Sequence, residues 1–339
     1  MVLAILVVGL GVAWGAALLM EMGERHSDRM HFNLLEERIK GEIVRRMAVY
    51  RQGLNGIRGL WPASTLVERG EFKVCVSNMD LSVDCPGVLG TGFIKRVERT
   101  GLEDFLTRTR ADEAPDFQVR TAGDAPDLFV VEFIEPAAAN AGAMGFDIGS
   151  EPIRRAAAER AMLTGMGTLT EPITLEQAAD RGPGYLYLLP VYKKKMPTDT
   201  PDERRAALEG WVYMPLVARQ MFEGMGQVAQ GELDYEVFDS GEQIAANLLY
   251  DDDKDIESQL GPVTAARLEG RTFHTSLPLE IGGQQWTLTF STTPSFVTTS
   301  RSAVWAVGWG GTLVCFLAAS LVWSLGRATV RAQAFAHAM

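Results

Sequence analysis

The sequence is poor in histidine and lacks the short motifs that mark common catalytic sites. It has four histidines in 339 residues, and none is spaced from another histidine or from a cysteine as zinc ligands are. A Walker phosphate loop and a nucleophile elbow are also missing. These absences argue against a metalloenzyme, a nucleotide hydrolase and an α/β-hydrolase. We predict no enzyme activity, no metal and no cofactor within these residues.

Charged side chains are absent from two long apolar runs, residues 1–20 and 302–325. Each run has about the ~20 residues that a helix needs to cross the hydrocarbon core of a bilayer. A cleaved signal peptide is the alternative for the first run, but no Arg or Lys precedes it and no clear small-residue cleavage site follows it. The sequence therefore predicts transmembrane helices at 1–22 and 302–325.

Acidic residues are absent after the second run, where Arg327 and Arg331 are the charged side chains. All 43 Asp and Glu lie between the two runs. Because positive charge favours the cytoplasmic side, residues 326–339 are predicted to begin a cytoplasmic region. The segment between the runs is then outside the cytoplasmic membrane, in the periplasm or extracellular space. Its acidic character argues against nucleic acid as a partner.

Cysteine is also scarce, with three residues in the chain. Cys75 and Cys85 lie close together in the segment predicted to face an oxidising compartment, where a short disulfide loop can form. Two free buried thiols are the alternative, and we predict the disulfide. Cys315 falls in the second apolar run and is expected to act as a small apolar residue.

After the first run the chain has a helical pattern, predicted as a stalk helix over 23–62. Apolar residues recur every three or four positions among charged ones, which is typical of a long amphipathic helix with one apolar stripe. The stripe can pack on the chain's own domain or on a second copy, and we predict a parallel homodimer. Trp61-Pro62 should end the helix. The stripe consists of Leu35, Ile39, Ile43, Met47, Tyr50, Leu54 and Ile57.

The pattern then changes to short β-rich runs in a larger unit, 63–222, and a smaller one, 223–300. A helix over Ile153–Leu163 is predicted between the strands, with Ser150 as its cap, Pro152 in its first turn and Gly165 as its stop. The predicted strands are Gly92–Val97, Phe117–Thr121, Leu128–Ile134, Gly167–Leu175, Tyr185–Tyr192, Gly210–Tyr213, Tyr235–Phe238, Ile244–Tyr250, Arg271–Leu279 and Gln285–Ser291.

Three further segments of this region have local signatures. Pro215–Gln230 is predicted as a connecting helix between the two units. Gly282-Gly283 should form a hairpin turn. The acidic run Asp251–Asp255 is predicted as a solvated loop. A calcium site is its alternative, but the ligand spacing of an EF-hand loop is missing.

Eight segments of the middle of the chain occur in the order found in a known family. They are Cys85–Val97, Phe133–Pro136, Phe146–Ser150, Pro152–Ala156, Thr164-Gly165, Leu169–Leu175, Leu189–Tyr192 and Gly210–Tyr213. In this ordered set the chain resembles the CHASE family, an extracellular sensory domain of histidine kinases and cyclases that includes the plant cytokinin receptors. The resemblance covers roughly Phe72 to Gln220.

The resemblance implies an α+β fold: a long stalk helix followed by two tandem PAS-like units with antiparallel sheets, flanked by two transmembrane helices. It also implies a small-molecule site in the membrane-distal unit, between its sheet and its helices. Where cytokinin-binding relatives carry an acidic anchor, this chain has Pro136. Cytokinin itself is therefore not the expected ligand.

Candidate ligand contacts follow from the resemblance and from the strand pattern. Tyr185 and Tyr187 share one face of their strand, which suits a ligand or equally a contact between domains. Core packing or an ordinary strand position is the alternative for the others. Arg154 and Arg155 could pair with acids or bind an anionic ligand. The predicted contacts are Glu135, Met144, Phe146, Thr170, Tyr185 and Tyr187.

Together these features predict the extracytoplasmic, ligand-sensing module of a transmembrane signalling receptor. Its partners would be a small molecule, a second copy through the stalk helix, and the membrane. The output domain, a histidine kinase or a diguanylate cyclase, is not contained in this sequence. The alternative is a pocketless module that dimerises or binds a partner protein. An enclosed cavity with polar groups on its wall in the larger unit would favour sensing.

Overall fold

The computed structural model describes residues 2–254 and 270–338, which form an α+β fold with a long N-terminal helix and two antiparallel sheets. In these residues the helices are α1 (Val2–Arg58), α2 (Leu60–Ala63), α3 (Arg69–Ser77), α4 (Leu81–Asp84), α5 (Leu102–Ala111), α6 (Pro152–Thr164), α7 (Pro201–Ala207), α8 (Ala218–Phe222) and α9 (Ser302–Ala338). The strands are β1 (Thr91–Glu98), β2 (Asp127–Glu135), β3 (Thr168–Leu169), β4 (Gly184–Tyr192), β5 (Leu208–Val217), β6 (Leu233–Asp239), β7 (Leu248–Asp251), β8 (His274–Ile281) and β9 (Gln284–Thr292). Residues 37–293 form one compact unit, and residues 2–36 with 294–338 form another.

The first sheet has the strand order β2-β1-β5-β4-β3, with antiparallel neighbours throughout. β5 continues past the predicted strand end to Val217, so the connecting helix predicted from Pro215 is wrong at its start. Pro215 pairs with Leu186 inside the sheet. The strand predicted over Gly167–Leu175 is reduced to β3, because the chain after it turns away at Pro172. The strand predicted over Phe117–Thr121 is replaced by one isolated bridge from Arg120.

The second sheet has the order β7-β6-β9-β8. Its last hairpin turns at Gly282 and Gly283, whose φ angles of 59° and 77° confirm the predicted glycine turn. β7 is shorter than the predicted strand and ends at Asp251, which is buried rather than solvated. The loop prediction is therefore wrong for Asp251. Asp255 of the same run lies outside the described residues.

The apolar stripe of α1 is buried within the chain itself. Each of its seven side chains is at most 5% exposed. The Tyr50 hydroxyl donates to the carbonyl of Pro86, and a Cβ at Gly53 would lie 3.2 Å from the Cε of Met214 on β5. Within residues 37–293 the stripe therefore packs on the chain's own domain. Using it as the predicted dimer interface is wrong, because those side chains are already covered.

The end of α1 lies before the predicted Trp61-Pro62. The helix ends at Arg58, and Gly59 separates it from the single turn of α2. Pro62 falls inside that turn, where an amide donor has no partner in the helix and a proline is tolerated. The proline therefore indicated the region in which α1 ends, but the helix ends about one turn before the predicted position.

α6 has two of its three predicted boundary signals. Pro152 lies in its first turn, and Gly165 ends it in the left-handed conformation with φ 74°. Ser150 is not the cap. The N-cap is Glu151, which makes no side-chain cap bond, and the Ser150 hydroxyl donates to the carbonyl of Asp147 at 2.7 Å.

The free edge of β2 is covered by the loop that precedes α6. The amide of Gly145 donates to Val131 at 2.9 Å, and the amide of Val131 donates to Phe146 at 3.0 Å. The buried carboxylate of Asp147 completes this edge, accepting from the amide of Phe129 at 2.7 Å. Unpaired strand edges are otherwise exposed to solvent or to another chain, so this loop closes the sheet.

The unit formed by residues 2–36 and 294–338 contains two apolar helical segments. In the described part of the chain, α1 and α9 are the two helices long and apolar enough to cross a membrane. Trp14 packs edge-on against Trp305 and Trp309, with ring centroids 6.4 and 5.7 Å apart. A Cβ at Gly9 would meet the Sγ of Cys315. Small residues thus allow close approach of the two helices.

Replacing Asp147 with Ala should lower the free energy of unfolding by about 2–4 kcal/mol, because buried donors on β2 and before α6 lose their acceptor. Asp147→Asn should cost less, since its amide oxygen can still accept from Phe129 and Gly149, which share Oδ1. Urea unfolding of each variant measures both effects. Asp124→Ala, at an exposed position, is the control. Equal stability of Asp147→Ala and wild type would contradict this account.

Cysteine crosslinking should detect the packing of α1 on α9. In a background without Cys75 and Cys85, Gly9→Cys should form an intramolecular disulfide with Cys315 on oxidation in membranes, because the two positions are in contact. Gly11→Cys is the matched control, since a Cβ there has nothing within 4 Å. Non-reducing peptide mapping distinguishes the two variants. Equal crosslinking of both would mean that these helices do not pack in this register.

Candidate functional site

A cavity of about 470 Å³ lies between the first sheet and α6, and we call it the sheet–helix cavity. Its wall is contributed by β4 and β5, by the first turn of α6, by the loop that covers β2, and by the segment after β3. This volume is within the range of small-molecule sites. It is lined by Val131, Ala143, Phe146, Ile148, Glu151, Ile153, Arg154, Pro172, Ile173, Thr174, Leu175, Glu176, Gln177, Leu186, Tyr213 and Pro215.

The Tyr213 side chain supplies an unsatisfied polar group to this wall. Tyr213 on β5 is 2% exposed, and its hydroxyl has no hydrogen-bond partner among the described residues. Burial raises the pKa of Tyr213 above its ordinary value, so the hydroxyl stays neutral and can donate. A buried hydroxyl without a partner costs free energy, and a ligand acceptor in the cavity would relieve that cost.

Arg154 is the buried cation of the cavity. It forms an ion pair with Glu151 one turn earlier, and its Nη2 donates to the carbonyl of Thr174 at 2.9 Å. Its guanidinium also lies 5.4 Å from the ring centroid of Phe146. Burial lowers the pKa of Arg154, while Glu176 opposes that shift. The arginine remains charged, and its contacts fix the segment after β3 against α6.

The mouth of the cavity has a second, more exposed pair of charges. Arg120 and Glu176 approach to 3.8 Å, and both side chains are about half exposed. The Arg120 guanidinium lies 5.7 Å from the Phe146 ring. Phe146 is therefore held between two arginines, one buried and one exposed. An aromatic or carbonyl group of a ligand would meet both polar and apolar surface here.

The structure brings one of the six predicted contacts into this wall, namely Phe146. Met144 packs beside it in the core, and its sulfur accepts from Arg69 at 3.8 Å. Glu135 ends β2 and accepts from the amide of Ala137 at 3.0 Å. Thr170 is fully buried and accepts from the amide of Leu186. These three residues support the wall rather than line it.

Tyr185 and Tyr187 share a face of β4, but it is the face opposite the cavity. Leu186 between them lines the cavity. The Tyr185 ring packs on Trp286 of the second sheet, with centroids 5.8 Å apart. The Tyr187 hydroxyl lies against Gly167, where a Cβ would be 2.7 Å away. Of the two readings of this pair, the structure supports a contact between the sheets for Tyr185, whereas Tyr187 packs beside its own sheet.

Sequence reasoning missed Tyr213, Glu151 and the segment 172–177 as cavity residues. Arg154 was noted only as a possible anion ligand. The signal for Tyr213 was available in part, because it alternates with Val212 and Met214 on a strand whose other face is covered by α1. Tertiary packing decides which of the two buried faces of a strand lines a cavity. The local sequence pattern carries no information about that packing.

Three buried acids also converge in the second sheet, where the sequence predicted no metal. Asp234 and Glu236 share a face of β6, and Glu236 pairs with Asp251 on β7. Their carboxylate oxygens lie within 4.8 Å of one another, a spacing that could hold a metal ion. Arg271 lies 3.5 Å from Asp234 and balances part of this charge.

No disulfide joins the two cysteines predicted to pair. Cys75 is partly exposed on α3, and Cys85 is buried just after α4. Burial raises the pKa of Cys85 to about 11, with a smaller contribution from Asp84. Burial and Glu71 raise the pKa of Cys75 as well. Both thiols are thus protonated at neutral pH, and the disulfide stays a prediction.

The comparisons with known proteins give one family match and one similar solved structure. The family model described as "CHASE domain" matches residues 65–250. No curated protein matches the sequence significantly. Among solved structures, the periplasmic sensory domain of the Campylobacter jejuni chemoreceptor Tlp1 is similar, with 9% identity and a TM-score of 0.41, over 78% of this chain and 92% of that chain. CHASE is a sensory domain and not a catalytic one.

The matched residues include the whole of the first sheet, part of the second sheet and the whole of the sheet–helix cavity. The family match covers more than half of the sequence, and the predicted resemblance is confirmed. This chain belongs to the CHASE domain family.

Proposed function

We propose that the chain is the extracytoplasmic sensing module of a transmembrane receptor and that it binds a small molecule in the sheet–helix cavity. The observation that carries this proposal is a cavity of about 470 Å³ whose wall includes Tyr213, a buried tyrosine whose hydroxyl has no partner among the described residues. A purely structural core would be better served by phenylalanine at this position. The cavity also argues against the pocketless alternative.

The cavity chemistry suits an amphipathic ligand. Phe146, Ile173 and Leu186 supply apolar surface, while Tyr213 offers one donor deep in the wall. The Arg154 guanidinium is held by Glu151 and by a carbonyl, so it orients polar groups without being an open anion site. A compact ligand with an apolar or aromatic body and a hydrogen-bond acceptor matches this arrangement.

The receptor context extends this proposal. The two sheets would be tandem PAS-like units, with boundaries near 63–222 and 223–300, and the helical runs 1–22 and 302–325 would cross the membrane. The output domain would be a histidine kinase or a diguanylate cyclase beyond residue 339. A homodimer remains part of the proposal, but through surfaces other than the covered stripe of α1. Ligand binding can signal only if it favours one arrangement of the receptor over another.

A thermal-shift screen with amino acids, small aromatic acids and purines tests the ligand site. A ligand of the sheet–helix cavity should raise the melting temperature in proportion to its saturation. Tyr213→Phe should weaken its binding about 5–30-fold, the loss of one buried hydrogen bond. Tyr185→Phe removes a buried hydroxyl from the opposite face and is the matched control. A stabilising ligand whose affinity is unchanged in Tyr213→Phe would not be bound in this cavity.

The extracytoplasmic location makes a second prediction, the disulfide between Cys75 and Cys85. Protein exported to the periplasm should show this bond in mass spectrometry of unreduced peptides, whereas cytoplasmic protein should show two thiols. In the entropic account, closing so short a loop would stabilise the fold by about 2–3 kcal/mol. Two free thiols in exported protein would refute the pairing.

A further inference from the structure

A second cavity, of about 520 Å³, lies on the other face of the first sheet, and we call it the aromatic cavity. β1 separates the two cavities, since Phe93 and Lys95 face this one while Ile94 faces the core beneath α6. Its wall consists of Trp61, Ser64, Thr65, Leu66, Val67, Glu68, Phe93, Lys95, Phe105, Arg108, Thr109, Ala111, Asp112, Glu113, Glu132, Phe133 and Glu209.

One side of this cavity is aromatic. Trp61 on α2 lies with its ring centroid 4.2 Å from that of Phe93, and Phe93 lies 6.2 Å from Phe133 on the neighbouring strand. Phe105 of α5 is the fourth ring in the wall. The faces of such rings carry negative potential and attract organic cations.

A β-bulge turns Glu132 toward the same cavity. In the β1–β2 ladder Phe93 pairs with Phe133 and Ile94 pairs with Val131, so Glu132 is the extra residue. Bulges of this kind redirect a side chain that would otherwise alternate. The carbonyl of Glu132 accepts from Arg69 at 3.1 Å, whereas no described residue donates a hydrogen bond to its carboxylate. The carboxylate therefore faces the cavity unbonded.

Thr109 adds a second polar group without a partner. It lies on α5, is 2% exposed, and its hydroxyl has no hydrogen-bond partner among the residues that the structure describes. Threonine inside a helix usually bonds a carbonyl of the preceding turn. Thr109 is one of the residues that form the wall of the aromatic cavity.

The cations near Glu132 are already engaged. Lys95 forms an ion pair with Glu209 on the adjacent strand. The Arg69 guanidinium is bound to the carbonyls of Asp112 and Glu132. Arg108 also lines the wall, and its Nε donates to the carbonyl of Asp104 at 3.3 Å. The Arg69 guanidinium also lies 5.2 Å from the Phe133 ring centroid. What the wall offers to a ligand is therefore the Glu132 carboxylate and the rings of Trp61 and Phe93.

We propose that the aromatic cavity binds an organic cation, an amine with an apolar or aromatic body. Its ammonium would lie on the carboxylate of Glu132, near Thr109, and its body against Trp61 and Phe93. The wall carries more acids than bases, with Glu68, Asp112, Glu113, Glu132 and Glu209 against Lys95 and Arg108. This site is independent of the sheet–helix cavity and of the function proposed for it.

The titration of Glu132 gives the site a pH signature. Burial raises the pKa of Glu132 to about 7, while Lys95, Arg69 and Arg108 lower it and Asp112 raises it further. Glu209 and the exposed Glu68 and Glu113 are the other charged groups of the wall, and no histidine lines it among the described residues. An ammonium binds the ionised carboxylate, so affinity is highest well above the pKa of Glu132 and falls as the pH decreases through it and Glu132 takes up a proton.

Isothermal titration calorimetry of the full chain in a non-ionic detergent tests this site with phenethylamine, which stays protonated from pH 6 to pH 8. Binding should be one to one and about tenfold weaker at pH 6 than at pH 8. The uncharged 2-phenylethanol and the anionic 3-phenylpropanoate have similar shapes and should bind at least about tenfold more weakly. Equal or tighter binding of either analogue would overturn the proposal.

Three variants assign the heat of binding to these residues. Glu132→Gln should weaken phenethylamine binding about tenfold or more at pH 8 and abolish its pH dependence. It should fold normally, because burial already favours the neutral form of this side chain. Thr109→Val should weaken binding about threefold to tenfold. Glu103→Gln, an exposed change on the same helix, should have no effect. Unchanged affinity in Glu132→Gln, or a loss seen only in Tyr213→Phe, would refute the assignment.

Discussion

The carboxylate of Asp147 accepts from Phe129, Gly149 and Thr121 at 2.7–2.9 Å, and the shape of the first sheet's open face depends on these bonds. Phe129 belongs to the edge strand, while Gly149 begins the turn before α6. One buried side chain thus joins the sheet edge to the start of the helix above it. Charge-assisted bonds of this kind are stronger than neutral ones.

The cavity under α6 is a consequence of this arrangement. Phe146 and Ile148 flank Asp147 in sequence and both line the sheet–helix cavity. Gly145, with φ 72°, permits the loop to approach Gln118 so closely that a Cβ would lie 2.0 Å from its carbonyl oxygen. The loop that covers the sheet edge therefore also forms one wall of the cavity. Changes at this loop should affect edge pairing and ligand contact together.

The long helix and most strands could be predicted from the sequence, because burying one face of an element makes apolar residues recur at its characteristic spacing. The positions from Leu35 to Ile57 are buried as their spacing requires. The partner of that face could not be predicted, since a stripe has the same pattern on its own sheet or on a second copy. The intramolecular solution follows from strand order, which places Met214 opposite Gly53.

The same distinction applies to the candidate site. Alternation correctly grouped Tyr185 with Tyr187, yet the direction of that face is set by Trp286, about a hundred residues later. The sequence motif around Phe146 identified the loop that lines the cavity, because the turns of this loop are determined by residues close together in sequence. Tyr213 could not be identified, because its role depends on which face of the sheet is left open. Glu132 could not be identified either, because it lies at a β-bulge. A bulge breaks the alternation of the strand and is defined only by the pairing with the neighbouring strand.

The two cavities lie on opposite faces of one sheet and share a feature, a buried hydroxyl in a wall residue. Each holds a hydroxyl, Tyr213 or Thr109, in a buried position without a partner. Leaving such a group unpaired costs about 1–3 kcal/mol, which an apolar side chain of similar shape would avoid. A ligand that completes either hydrogen bond would recover that free energy. Local instability of this kind is typical of functional positions.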